Sequence, residues 1–201
     1  MKRSLSKITL LFALACVSLL AYGQNNPSQT PSVDFGRTTV QLNTSFVNSI
    51  QGLGAVFTDL GGNPLQNNTF TVRATGGSID LTNAAGEIEH AGGLLINTPG
   101  AIIRIQNFTI DTSNPGAPVM SAAFIVNDHF AGRIVLFNVQ PPATLIVPLQ
   151  PQAGVLQVNG LALSLSAAGA SAINGIFGGP VVQQGTAIGI ANAYMVFAAA
   201  N

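Results

Sequence analysis

The chain has 201 residues, 47% of them hydrophobic and only 7% charged, with seven Lys+Arg balancing seven Asp+Glu. That supply of apolar side chains is enough for a core and excludes disorder, which combines low hydrophobicity with high charge. The balanced charge leaves no cationic field to meet nucleic acid, and 22 Gly with 11 Pro argue against a helical bundle.

Residues 1–23 run from Lys2, Arg3 and Lys7 through the apolar stretch Ile8 to Leu20 to the small-residue close Ala21-Tyr22-Gly23. This order is that of a secretory signal peptide. The stretch falls short of the roughly 20 residues of a spanning helix, so no membrane span is expected in the mature chain. The only cysteine, Cys16, leaves with the peptide, and the remainder holds Arg37, Arg73, Arg104 and Arg133, no Lys, and seven carboxylates. Disulfides and thiolate metal sites are thereby excluded. The expected location is secreted, extracellular or periplasmic, of bacterial type.

Residues 24–32, with Pro27 and Pro31, read as a polar spacer, and 33–201 as a single β-rich domain. Phe46, Val47, Ile50 and Leu53 have helical spacing after Asn43-Thr44, with Gly52 and Gly54 to end the helix. Alternation at Phe70/Val72 and Ile79/Leu81 predicts half-buried strands. Further on, Ile103 and Ile105 change phase to Phe108 and Ile110, which calls for a bulge at Gln106-Asn107. Val119 to Val126 and Ile134 to Val139 are apolar on both alternating sets and are expected to be covered on both faces, with Asn127-Asp128 as the turn between them. Leu161/Leu163/Leu165 predict a strand, Ile173, Ile176 and Phe177 a second helix between Ser166 and Gly178-Gly179-Pro180, and Ile188/Ile190 through Tyr194/Val196 a last strand. The fold class is all-β: an antiparallel sandwich or partly closed barrel with two short capping helices.

No charged residue occurs from Ile134 to Asn201. Either this half has an exterior of amides and hydroxyls, or a copy of the chain or another apolar partner covers it. If Ile188 to Phe197 is an edge strand, nothing charged guards it against pairing with another edge.

The supply of titrating groups is thin. Glu87, Glu89 and His90 form the one dense cluster, but on a strand the two carboxylates share a face while His90 points with Ile88 to the other, so they do not converge on a metal. His90 reads as a core histidine with a satisfied hydrogen bond. His129 follows Asp128, yet no nucleophile motif accompanies them. The Gly76-Gly77, Gly92-Gly93 and Gly178-Gly179 doublets lack the Lys of a phosphate loop. No catalytic residue, metal site or obligatory cofactor is expected.

Three blocks in order, Asn43 to Leu53, Gly86 to Ile96, and Leu161 to Phe177 with Gly185, resemble the HtaA-like domain of secreted bacterial proteins over roughly Thr38 to Phe197. The resemblance implies a β-rich domain with two short helices, in a family that includes haem-binding modules. It also implies a Tyr ligating haem iron after a Ser-Phe pair; here Ser45-Phe46 is present and Ser49 stands in place of that Tyr. The family's His, which supports the Tyr, is matched by His90, leaving His90 as the cofactor-binding candidate if haem is bound.

The leading function is an exported, non-enzymatic β domain for binding or assembly at the bacterial cell surface. The alternative is a haem or other apolar small-ligand binding protein. A hydrolase would have to rest on carboxylates such as Glu87 or Asp111.

Overall fold

In the computed structural model, which describes residues 29–199, the elements follow as β1 (Val33–Leu42), α1 (Thr44–Gln51), β2 (Val56–Asp59), β3 (Thr69–Ile79), β4 (Gly86–Ala91), β5 (Gly93–Asn97), β6 (Ile102–Asp111), β7 (Val119–Val126), β8 (His129–Gln140), β9 (Val155–Leu165), α2 (Ala167–Phe177) and β10 (Ala187–Phe197). The leader expected at 1–23 and the spacer as far as residue 28 lie outside the described residues.

Every strand pairing is antiparallel. The order β6-β4-β3-β1-β10-β9-β8-β7 closes when β7 returns to β6, giving an eight-stranded barrel. The all-β barrel with two short helices is as expected, and β8 joins β9 over Phe137 to Gln140. β5 continues the line of β4 along β6 after a break at Gly92, and β2 adds to the outer edge of β5. Opposite that break lies the expected bulge. Asn107 has φ 55° and donates its N–H to the Gly92 carbonyl at 2.9 Å, and burial passes from Ile103 and Ile105 to Phe108 and Ile110.

The barrel wall has a single inside, and several expectations are corrected. β7 buries Met120, Ala122 and Phe124, while its other face is only half-covered, and the first part of β8 lies open with Phe130 68% exposed. Apolar residues on both sets therefore do not make these strands doubly covered. In β10 a bulge between Ala187 and Gly189 shifts the phase, so the inward set is Ile188, Ala191, Ala193, Met195 and Phe197, with Ile190 outside. β10 also lies between β1 and β9, so its backbone is not a free edge. Leu53 falls beyond α1 in the Gly52–Gly54 turn and is exposed, whereas Phe46, Val47 and Ile50 pack inward.

Each helix is started by a side chain. Asn43 Oδ1 accepts from the Ser45 N–H, and Ser166 Oγ accepts from the Gly169 N–H at 2.9 Å while donating to the Val135 carbonyl at 2.6 Å. Gly178, in the left-handed region at φ 67°, ends α2. β8 meets β9 only from Phe137 to Gln140, and α2 packs on β8 above that point, with the Ser166 N–H bonded to the Leu136 carbonyl. Both helices, β2 and the Asn127-Asp128 hairpin turn thus occupy one end of the barrel. Loops 80–85, 112–118 and 141–154 occupy the other.

Candidate functional site

At the helix end, α1 and α2 converge over the core. Phe46 and Phe57 meet edge to face at 6.3 Å, and Ile50, Ile173, Ile176 and Phe177 close around a void of only about 20 Å³. Ser49 lies on the exposed face of α1, where its hydroxyl donates to the Ser45 carbonyl at 2.8 Å. Beside α2 runs an open depression lined by Phe124, Val126, Ala131, Ile134, Ala172 and Ile176. None of the residues lining the void or the depression is a Tyr, His, Cys or Met. These linings therefore supply no axial ligand for haem.

His90 enters the barrel from β4, beside Ile88, and is 3% exposed. Its Nε2 lies 2.8 Å from Thr38 Oγ1 of β1, while Nδ1 is buried without a hydrogen-bond partner. Burial pushes the imidazole pKa down from 6.5 to about 4; the nearby Ile88 and Phe108 carbonyls favour the charged ring but only partly offset this. His90 is therefore neutral at pH 7. It lines neither the helix-end void nor the cleft at the other end.

Glu87 and Glu89 project outward, as their alternation with Ile88 requires. Glu87 faces Asp111 directly across β4 and β6. Both stand on the convex outer wall, where two carboxylates have no concavity to hold a substrate between them. His129 opens β8 at the surface, and Asp128 pairs with Arg104. Among the described residues no group of three His, Cys, Asp or Glu is arranged to hold a metal ion, and no helix is long and apolar enough to cross a membrane.

The loop end carries an apolar cleft that sequence reasoning did not single out. Inward residues of the barrel, among them Ile88, Ile110, Val139, Leu161 and Met195, form the floor of a cleft of about 250 Å³, and the 141–154 loop folds over it with Pro141, Pro142, Leu145, Val147 and Leu149. The loop is tied down where the Leu149 N–H donates to the Leu81 carbonyl at 2.6 Å. Asn83 and Thr112 are the only residues with polar side chains in the lining. Thr112 Oγ1 is occupied by the Ala84 and Gly86 carbonyls, and Asn83 accepts from the Ala85 N–H through Oδ1 while its amide group hydrogen-bonds the Asp80 carboxylate. The sequence signal was present in the run Pro141-Pro142 to Pro151 with Leu145, Ile146, Val147 and Leu149, but a loop of this kind reveals its target only once the barrel beneath it is placed.

No family model matches the chain, and no curated protein matches it by sequence. Solved structures do. The C-terminal domain of HtaA from Corynebacterium glutamicum superposes with a TM-score of 0.65 at 20% identity, covering 84% of this chain and 99% of that domain. The N-terminal domain of HtaA from the same bacterium gives 0.56 at 16% identity over 83% of this chain and 99% of its own. The haem-binding protein HtaB, also from that organism, gives 0.56 at 13% identity over 83% of this chain and 95% of its own. The chain has the HtaA-like fold.

Proposed function

We propose that this HtaA-like barrel is an exported, non-enzymatic binding module whose ligand is an uncharged, largely aliphatic small molecule held at the loop end. The loop-end cleft is the observation that carries this. Its lining is apolar apart from Asn83 and Thr112, and it includes no Lys, Arg or His to neutralise an acid. Enclosure by side chains of this type favours apolar ligands, with one or two polar atoms setting orientation. A second reading, haem binding, is supported by the likeness to HtaB; against it stand the hydroxyl of Ser49 where the resemblance calls for a phenol and the burial of His90.

Binding of the neutral fluorophore N-phenyl-1-naphthylamine, displaced by a long-chain alcohol, tests the first reading. Val147→Asp places a charge at the mouth on a residue already 45% exposed, so the fold should persist while binding weakens. Ala193→Phe should block the cleft from inside. Saturable binding unchanged in both variants would remove the cleft from consideration. A Soret shift on adding haemin to the unmodified chain, lost in His90→Ala, would favour the second reading.

A further inference from the structure

Arg37 on β1 and Arg73 on β3 are direct cross-strand partners, and both side chains are exposed on the outer wall. Side chains so paired have Cβ atoms about 5 Å apart, and like charges there repel. The chain has few cations beyond its first seven residues, only Arg37, Arg73, Arg104 and Arg133. Two of them are satisfied internally. Arg104 pairs with Asp128, while Arg133 donates to the Asn107 carbonyl at 2.8 Å and to the hydroxyls of Thr109 and Ser121. Among the described residues Arg37 and Arg73 have no such acceptor. Asp34 and Glu89, on β1 and on the neighbouring β4, form no ion pair with either, since the only ion pair among the described residues is Arg104 with Asp128.

The strand on the other side of β1 adds a third group. Tyr194 of β10 is the register partner of Arg37, and the guanidinium carbon lies 5.4 Å from the centre of its ring. That contact restrains the Arg37 side chain, reducing the freedom lost when it binds. One step along the same face, Thr39 and Thr71 hydroxyls lie 3.2 Å apart.

We propose that Arg37 and Arg73, with Tyr194 behind them, form an oxyanion site that takes a phosphate or sulfate group between the two guanidinium ions. A doubly charged tetrahedral group matches two forks that each present parallel N–H donors. The site is on the outer wall and does not depend on the loop-end cleft. The same group can arrive as a free ion or on a lipid headgroup, and Phe35, 54% exposed two residues before Arg37, would lie beside such a headgroup.

The test follows amide signals of the full folded chain during titration with inorganic phosphate and sulfate against chloride at matched ionic strength. Saturable shifts confined to β1, β3 and β10 around Arg37, Arg73 and Tyr194 are expected. In Arg37→Gln and in Arg73→Gln the dissociation constant should rise by about tenfold or more, as loss of a charge-assisted bond implies. Both variants should melt no lower than the parent at low salt, because each relieves repulsion. Sedimentation with vesicles containing phosphatidic acid, whose phosphomonoester carries the second charge, and not with phosphatidylcholine alone, would identify a lipid headgroup as the source. The proposal is overturned by any of three results: no saturable response to either ion together with no vesicle binding, a response retained in both variants, or equal binding to the two kinds of vesicle.

Discussion

Thr38 Oγ1 and His90 Nε2 meet at 2.8 Å inside the barrel, joining β1 to β4 across the intervening β3. Neither residue reaches solvent appreciably, at 1% and 3% exposed. The single hydrogen bond satisfies one ring nitrogen and leaves the other without a partner. A neutral imidazole tolerates that arrangement, and a protonated one, with an N–H at each nitrogen, does not.

This relationship predicts acid sensitivity with a definite sign. His90 has a folded-state pKa of about 4 against an ordinary value of 6.5. Between those two values the unfolded chain binds a proton that the folded chain refuses, so stability falls as pH drops from about 6.5 to about 4 and levels off below. The loss should be on the order of 3 kcal/mol. Asp59 and Asp80, held below the ordinary 3.8 by hydrogen bonds led by those from Asn63 and Thr82 respectively, act in a lower window. Urea unfolding of the parent at pH 7 and at pH 4.5 measures the drop. His90→Ala should be weaker than the parent at pH 7 by about 1–3 kcal/mol and lose most of the slope; a variant with the parent's pH profile would refute the assignment.

Ser49→Tyr is expected to change stability by no more than about 0.5 kcal/mol, since the side chain is exposed and its bond to the Ser45 carbonyl is local. With haemin the variant should show a charge-transfer and Soret change that the parent lacks. Identical spectra for parent and variant would mean that position 49 does not correspond to the family's ligand position.

Gly169 brings the first turn of α2 against the backbone of β8, and a Cβ there would collide with the Leu136 carbonyl oxygen. Gly169→Ala should therefore cost about 1–3 kcal/mol by forcing the helix outward. Thermal melting tests this, with Gly175→Ala, which has open space around it, as the neutral comparison.

Ala191 and Ala193 point into the core at 0% and 3% exposed. Lysine at either position should unfold the barrel, at a cost of at least about 3 kcal/mol, because an ammonium would be buried without a partner. A folded Ala191→Lys protein with altered assembly would instead put β10 at an edge. Circular dichroism and light scattering on the same sample separate the two outcomes.

Much of this architecture was legible in the linear pattern. The all-β class, both helices and their caps at Asn43 and Ser166, the bulge at Asn107 and the inward course of His90 follow from local rules of period, capping and turn chemistry, each acting within about ten residues of chain. Other features depend on which strand lies beside which. Periodicity could not tell that β7 and β8 have one inside rather than two covered faces, because an apolar side chain on the outer wall has the same spacing as one in the core. It could not tell that β10 is held between β1 and β9, that a bulge turns Ile190 outward, or that the 141–154 loop folds back over the open barrel end. Nor could it bring Arg37 opposite Arg73, which are thirty-six residues apart in sequence and become neighbours only through the register of β1 and β3. Local sequence determined the elements and the faces they present; the cleft and the arginine pair exist only because long-range strand pairing closed the barrel, and no local propensity encodes that register.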